Sequence, residues 1–221
     1  MVFQVDDVHD TATAEFHLGP IGQRCYSRAV AGACEILECD AIYPPFVDAG
    51  DLHITGGNKE VDMSYNVDLG IYGQESGDYP GGPGEPVSIA GAGSALVPEF
   101  VGDLVGPDRI EITAPSFMAT TVSRSQPLAV AWDVLPNTET VEFRLTAPNA
   151  TIQCRFDAQL GLGDVPVELL ELLDPTTKGS MGAAPFNQED VEVDGWTISL
   201  VAMNVAVQQG GLASAKNVVI Q

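Results

Sequence analysis

Residues 123–156 read SRSQPLAVAWDVLPNTETVEFRLTAPNATIQCRF, and this stretch decides the fold class. Apolar side chains occupy every second position within residues 128–132, 141–145 and 152–156. Proline and asparagine separate these three runs, as is typical of turns. Period-two alternation predicts a strand with one buried face. The stretch therefore predicts three successive strands of a β-sandwich.

Similar alternation recurs along the chain, between turns rich in glycine and proline, of which there are 23 and 15. Residues 165–174, VPVELLELLD, give the one helical signal, with Asp164 as the predicted cap and Pro175 as its end. We expect an all-β chain, an Ig-like or jelly-roll-type antiparallel β-sandwich with one short helix and disulfides. Its core is predicted to include Trp132, Phe143, Phe156 and Trp196.

The length of 221 residues suffices for one large sandwich. We expect a single β-sandwich domain over residues 1–221. A subdivision into N-terminal hairpins and a loop over residues 1–86, and a central sandwich over residues 87–221, stays open. Residues 72–86 offer little to bury and are predicted to form a long surface loop.

The chain is strongly acidic, with 31 Asp and Glu against 9 Lys and Arg and a formal net charge of −22. Nucleic acid is excluded as an expected partner because its binding depends on Lys and Arg that neutralise phosphates. Three explanations of the charge stay open: adaptation to salty surroundings, binding of divalent cations, or solubility of an exported protein. The scarcity of lysine favours the first, a halophilic protein.

Four cysteines occur, and their spacing matches neither a zinc site nor a C-x-x-C redox motif. Disulfides are therefore expected, in an oxidising compartment. If residues 30–33 form a hairpin tip, Cys25 faces Cys39 and Cys34 is left for Cys154. Four cysteines allow three pairings, and buried reduced thiols are the alternative.

The N-terminal residues and the distribution of apolar residues bear on the expected cellular location of the protein. Residues 1–10, MVFQVDDVHD, are acidic where an export signal has positive charge followed by an apolar run. We expect that an export signal or lipid-attachment segment has been removed ahead of this sequence. No apolar run of about 18 residues occurs, so we expect no membrane-spanning segment. The expected location is extracellular or at the cell surface.

Several motifs together resemble a family of exported proteins that is plentiful in myxobacteria. They are CYSRAVAGACEILEC, a V-P-x-F element, SRSQPLAVAW and the strand IQCRF. The residues that match are Cys25, Cys34, Cys39, Val97, Pro98, Phe100, Ser123, Arg124, Ser125, Leu128, Val130, Trp132 and Cys154. Members are described as hypothetical secreted proteins or lipoproteins, so the resemblance implies export and a disulfide-bearing β-sandwich, and it implies no activity.

No catalytic, cofactor-binding or metal-binding residue is assigned from the sequence. The histidines, His9, His17 and His53, form no metal-ligand pattern, and neither serine-nucleophile motif nor aromatic sugar platform stands out. The acidic groups at Asp157, Asp164, Glu168 and residues 187–194 leave calcium open. The sequon at Asn149 is interpreted as a chance match. Arg124 is expected to pair with an acid or a turn carbonyl.

These observations favour a non-enzymatic secreted or cell-surface structural or adhesive protein. It is expected to self-assemble by strand addition, with residues 1–18 or 213–221 completing a neighbour's sheet in filaments or oligomers. The alternative is a surface module that binds carbohydrate, peptide or calcium beneath the loop carrying Tyr72 and Tyr79. Expected partners are self or other surface proteins, with a glycan as an open alternative.

Overall fold

The computed structural model describes residues 2–5, 11–14, 16, 25–39, 46–57, 59–73, 80–116, 121–204, 207–208, 211–212 and 214–221. His9, His17 and Tyr79 lie outside these residues, and so does the side chain of Cys39. Within the described ranges the chain is all-β with one short helix, which confirms the predicted fold class.

The strands are given in chain order. The first twelve are β1 (Val2–Val5), β2 (Thr11–Ala14), β3 (Cys25–Ala31), β4 (Cys34–Cys39), β5 (Leu52–Gly56), β6 (Lys59–Met63), β7 (Tyr65–Asn66), β8 (Ile71–Gly73), β9 (Pro86–Gly91), β10 (Phe100–Val105), β11 (Ile112–Ala114) and β12 (Thr121–Val122). The others are β13 (Leu128–Trp132), β14 (Thr140–Thr146), β15 (Thr151–Asp157), β16 (Leu162–Val165), β17 (Thr176–Val193), β18 (Trp196–Asn204), β19 (Val207–Gln208), β20 (Gly211–Leu212) and β21 (Ser214–Ile220).

The helix α1 covers only Val167–Leu170, and a 3-10 turn covers Ala158–Leu160. The predicted cap was wrong: Asp164 lies in β16, and Pro166 holds the N-cap position without a side-chain hydrogen bond. Leu169, Leu170 and Leu173 are buried, so packing rather than capping stabilises this short helix.

The chain divides into two compact units, and neither is continuous in sequence. Unit 1 comprises Met1–Gly22, Tyr43–Asp108 and Phe186–Val205, and unit 2 comprises Gln23–Ile42, Arg109–Pro185 and Ala206–Gln221. The single-domain hypothesis over residues 1–221 stays a prediction. The unit boundaries differ from the subdivision at residue 86.

Unit 1 is a two-layer sandwich. One sheet has the strand order β10-β9-β5-β6, and the other has the second part of β17 followed by β18-β1-β2-β8-β7. Both sheets send apolar side chains into one core, including Ile54, Ile89, Phe100, Leu200 and Ala202. Pairing is antiparallel except between β1 and β18. The sheets approach closely at Gly102, where a Cβ atom would overlap Leu200.

Tyr72 ties the core of unit 1 to the loop before β5. Its ring is fully buried and lies 5.7 Å from the Phe16 ring in an edge-to-face arrangement. Its hydroxyl accepts the Ala49 N–H at 2.7 Å and lies within donating distance of Asp48 Oδ1, at 2.9 Å, and the Gly50 carbonyl, at 2.8 Å. Burial, with Asp48 adding to it, raises the pKa of Tyr72 well above its usual range.

Unit 2 is also a two-layer sandwich. Its large sheet has the order β3-β4-β15-β14, then the first part of β17, then β21 and β12, and its small sheet has the order β11-β13-β16. Trp132 from the small sheet stacks on Phe156 from the large one, with ring centroids 5.8 Å apart. The Trp132 indole N–H donates to the Ala158 carbonyl at 3.0 Å. Phe143 is fully buried in the same core.

A disulfide joins Cys34 to Cys154 inside this core, the pairing that the sequence analysis favoured. The two residues lie directly opposite each other on the neighbouring strands β4 and β15. Cys25 is also disulfide-bonded. The backbone places it opposite Cys39, but because the Cys39 side chain is outside the described residues, that pair stays a prediction.

We predict that replacing Cys34 and Cys154 together by alanine lowers the free energy of unfolding by about 4–5 kcal/mol. The physical reason is that the bond closes a loop across 120 residues of sequence, which restricts the unfolded chain. Urea unfolding of oxidised wild type and the double variant measures the difference. A loss below about 1 kcal/mol would contradict the prediction.

We predict that Tyr72→Phe lowers the free energy of unfolding by about 1–3 kcal/mol at pH 8, because the Ala49 N–H loses its partner. A raised pKa in the folded state means that the hydroxyl's contribution is fully present below about pH 10, the ordinary tyrosine value, and is lost as the pH rises further. The difference between wild type and variant should therefore shrink above about pH 10. Urea unfolding from pH 8 to pH 11 measures it, and a constant difference would count against this account.

Candidate functional site

The candidate site is a shallow groove of about 560 Å3 on the outer face of the β10-β9-β5-β6 sheet in unit 1. Small side chains form its floor, since Ala90 of β9 and Ala92 just after that strand lie between larger neighbours. Val101, 63% exposed, adds an apolar wall from β10. Carboxylates stand on its rim, contributed by Asp51, Asp62 and Glu99.

Strand register explains why these residues meet. Asp62, His53, Ala90 and Val101 occupy successive strands in one row across the sheet. Asp51 lies two residues before His53 and therefore belongs to the next row of the same face. Rows two residues apart are separated by about 7 Å along the strands. The carboxylates of Asp51 and Asp62 therefore lie in adjacent rows of the groove.

The rim side chains are held by neighbours on the same face. His53 Nδ1 lies 2.6 Å from Asp62 Oδ1, and the Ser64 hydroxyl donates to Asp51 Oδ1 at 2.8 Å. Among the described residues, no arginine or lysine lines the groove. The rim is therefore an array of hydrogen-bond acceptors with an apolar floor between them, suited to a ligand that carries cationic groups or hydrogen-bond donors.

The charge of the chain is unevenly divided between the units. Unit 1 contains nineteen Asp and Glu and a single basic residue, Lys59, giving a formal charge of −18. Unit 2 contains twelve acidic and eight basic residues, giving −4. The groove therefore lies on the strongly anionic unit.

The calcium candidates are not gathered into one cluster. Asp157 accepts the Gln159 N–H at 2.9 Å at the start of the 3-10 turn, and Asp164 and Glu168 lie in β16 and α1. Residues 187–194 belong mainly to β17 and so point alternately to its two faces. Within the part of the chain that the structure describes, no three potential metal ligands converge.

Two other polar residues that the sequence singles out have structural partners. Arg124 donates to the carbonyls of Leu170, at 3.3 Å, and Glu171, and so holds the end of α1. The Asn149 amide donates to the Leu172 carbonyl at 3.1 Å and accepts the Asp174 N–H at 2.9 Å. Both side chains therefore stabilise the turn after α1.

The loop hypothesis needs a correction, since Tyr72 is buried in the core of unit 1 and is not available to a ligand. The cysteines and Trp132, Phe143 and Phe156 belong to unit 2 and are not brought to the groove. Trp196 is only partly buried and packs against the core of unit 1, so it borders that core rather than lying inside it. Of the three histidines, His53 alone is described, and it lies in the groove.

Over the described ranges of the chain, no helix is both long and apolar enough to cross a membrane.

No protein-family model matches this chain, and no curated protein is significantly similar to it. Among solved structures, it is similar to a segment of two fibronectin type-III domains from chicken tenascin, with 11% identity, 81% of this chain and 97% of that chain covered, and a TM-score of 0.25. It is also similar to the FN1-FN3 domains of chicken CNTN1, with 12% identity, 84% and 67% covered, and a TM-score of 0.23. At such TM-scores and identities, neither likeness assigns a family or a function.

Proposed function

We propose that this chain is a non-enzymatic, exported β-sandwich protein with an adhesive or structural role at the cell surface or outside it. The observation that carries the proposal is the grooved outer face of unit 1, which combines an apolar floor with a rim of carboxylates. A shallow groove on a rigid sheet is suited to contact with another molecule. The proposed contact face is therefore the β10-β9-β5-β6 sheet.

The Cys34–Cys154 bond supports export, because disulfides persist in oxidising compartments. The described polar side chains support a role in contact rather than catalysis. Tyr72, Arg124 and Asn149 are used in structural hydrogen bonds. His53 pairs with Asp62 on an exposed sheet face, without a described nucleophile bonded to it.

Self-assembly by donated end strands is not part of the proposal. β1 pairs with both β18 and β2, and β21 pairs with both β17 and β12. Either strand would have to leave two partners before it could complete a neighbour's sheet. The proposed contacts therefore use a sheet face rather than a free terminal strand.

Filling the groove tests the proposal. Beads coated with poly-lysine, an acidic polysaccharide or a neutral glucan are incubated with wild type and with Ala90→Gln. We expect wild type to be retained on at least one coating, and Ala90→Gln to lose that retention because its longer side chain occupies the groove floor.

Ser88→Gln is the matched control, since Ser88 lies on β9 two residues from Ala90, faces the same side and does not line the groove. It should be retained like wild type, and both variants should keep the wild-type urea midpoint. Retention on no coating, or equal retention of wild type and both variants, would overturn the grooved face as the contact surface.

A further inference from the structure

We propose that the groove binds an extended basic peptide segment with lysine or arginine at alternate positions. This inference rests on the proposed contact function and names the chemistry of the partner. The occupant is a cationic polypeptide of another molecule, not a metal ion, a glycan or a second copy of this chain.

The shape of the groove fits the stem of a cationic side chain. Ala90, Gly91 and Ala92 give a narrow apolar floor, and Val101 gives an apolar wall. Lysine and arginine combine a long methylene stem with a charged head, so the stem can lie on such a floor while the head reaches a carboxylate. Asp51 and Asp62 lie on the β5–β6 side of this floor, and Glu99 lies on its β10 side.

The spacing of the rim fits an extended chain. Asp62 of β6 is in the row of His53, and Asp51, just before β5, is in the next row, so these carboxylates are offset along the strand direction by about 7 Å. Side chains at alternate positions of an extended peptide repeat by about the same distance. Cationic residues at positions i and i+2 would therefore meet successive rows.

The charge of the whole unit favours the same partner. With nineteen acidic residues against Lys59, unit 1 attracts cations from a distance and repels anions. A second copy would bring either another strongly anionic unit or unit 2, which has twelve acidic and eight basic residues. Neither carries the positive charge that the groove complements.

The other occupants fit less well. A divalent cation needs several oxygens converging within about 2.5 Å of one point. In the groove, Asp62 stands in a different row from Asp51, and Asp51 and Glu99 lie on opposite sides of Ala92. A glycan usually stacks on an exposed aromatic ring, but Phe100, the aromatic residue of the groove, is buried with its ring packed over Gly91. Both remain outcomes of the test.

The test measures fluorescence anisotropy of labelled six-residue peptides with the full-length protein at low salt. One peptide alternates lysine with serine, one places the same lysines in a block, and one alternates glutamate with serine. We expect binding in the order alternating lysine, blocked lysine, then glutamate, and weaker binding of both lysine peptides at high salt because salt screens the attraction.

The groove variant is Asp51→Asn, Asp62→Asn and Glu99→Gln combined, which keeps side-chain size and removes three charges. The control combines Asp68→Asn, Glu192→Gln and Asp194→Asn, which removes three exposed charges from the same unit away from the groove. We expect the groove variant to bind the alternating peptide about tenfold more weakly and the control to stay within about twofold of wild type.

Equal weakening by both triple variants would overturn the groove as the site and leave only diffuse attraction to unit 1. Failure of wild type to bind the alternating peptide, or equal binding of the glutamate peptide, would overturn the cationic partner. If the peptide test fails but wild type is retained on a glucan or polysaccharide bead and Ala90→Gln is not, the proposed contact function still holds, and only the cationic partner is wrong. Displacement of the alternating peptide from wild type by calcium chloride, at an ionic strength at which sodium chloride does not displace it, would overturn the peptide as occupant in favour of a divalent cation.

Discussion

Unit 1 has to hold nineteen acidic side chains with a single Lys or Arg side chain, and the rest of its polar structure depends on that constraint. Neutral donors take the place of ion pairs. The Ser199 hydroxyl and the Gln188 amide donate to Asp190, and this lowers the pKa of the Asp190 carboxyl below its usual range. The Thr197 hydroxyl also donates to Glu192 Oε1, at 2.7 Å. Hydrogen bonds from neutral groups fix these carboxylates in position without cancelling their charge.

In unit 2, arginine side chains form ion pairs with carboxylates instead. Glu142 is largely buried on the large sheet, and it accepts from Arg144 at 2.6 Å and from Arg155 at 3.3 Å. Glu38 accepts from Arg28 at 2.7 Å in the β3–β4 hairpin. Because arginines compensate these carboxylates locally, unit 2 has a modest net charge, whereas unit 1 keeps its charge and projects it into solvent. The two units therefore differ in what they attract, although both are β-sandwiches.

Two polar side chains of β17 close an edge of the sheet that carries the groove. Glu189 accepts the Asp103 N–H at 2.8 Å, and the Asn187 amide donates to the Val105 carbonyl at 2.7 Å. These are backbone groups of β10, which pairs among the described strands with β9 on one side only. Side chains that occupy the hydrogen-bonding groups of an edge strand prevent another strand from adding there. This leaves the sheet face, rather than the β10 edge, for contact with other molecules.

How far the sequence predicts this structure depends on whether the signal is local. β13, β14 and β15 were predicted because their alternation is regular and turns separate them, and the pairing of Cys34 with Cys154 was favoured among three by the predicted hairpin between β3 and β4. β17 was missed because its first part is built from glycine, alanine and proline, and its acidic second part looks like a loop. The groove was missed because its residues come from four strands, whose register no local pattern reveals. The division of charge was equally hidden, since three separate segments make up unit 1.

That division bears on the origin of the acidity. Adaptation to salt acts on every solvent-exposed surface of a protein, so it predicts acidic residues spread over both units. Here unit 1 carries a formal charge of −18 and unit 2 only −4, within one chain exposed to one environment. At physiological ionic strength, charges farther apart than about 8 Å are largely screened. The excess negative charge of unit 1 therefore affects mainly molecules that come close to its own surface. The uneven division of acidity therefore agrees better with the proposed cationic partner of unit 1 than with adaptation of the whole molecule to salt.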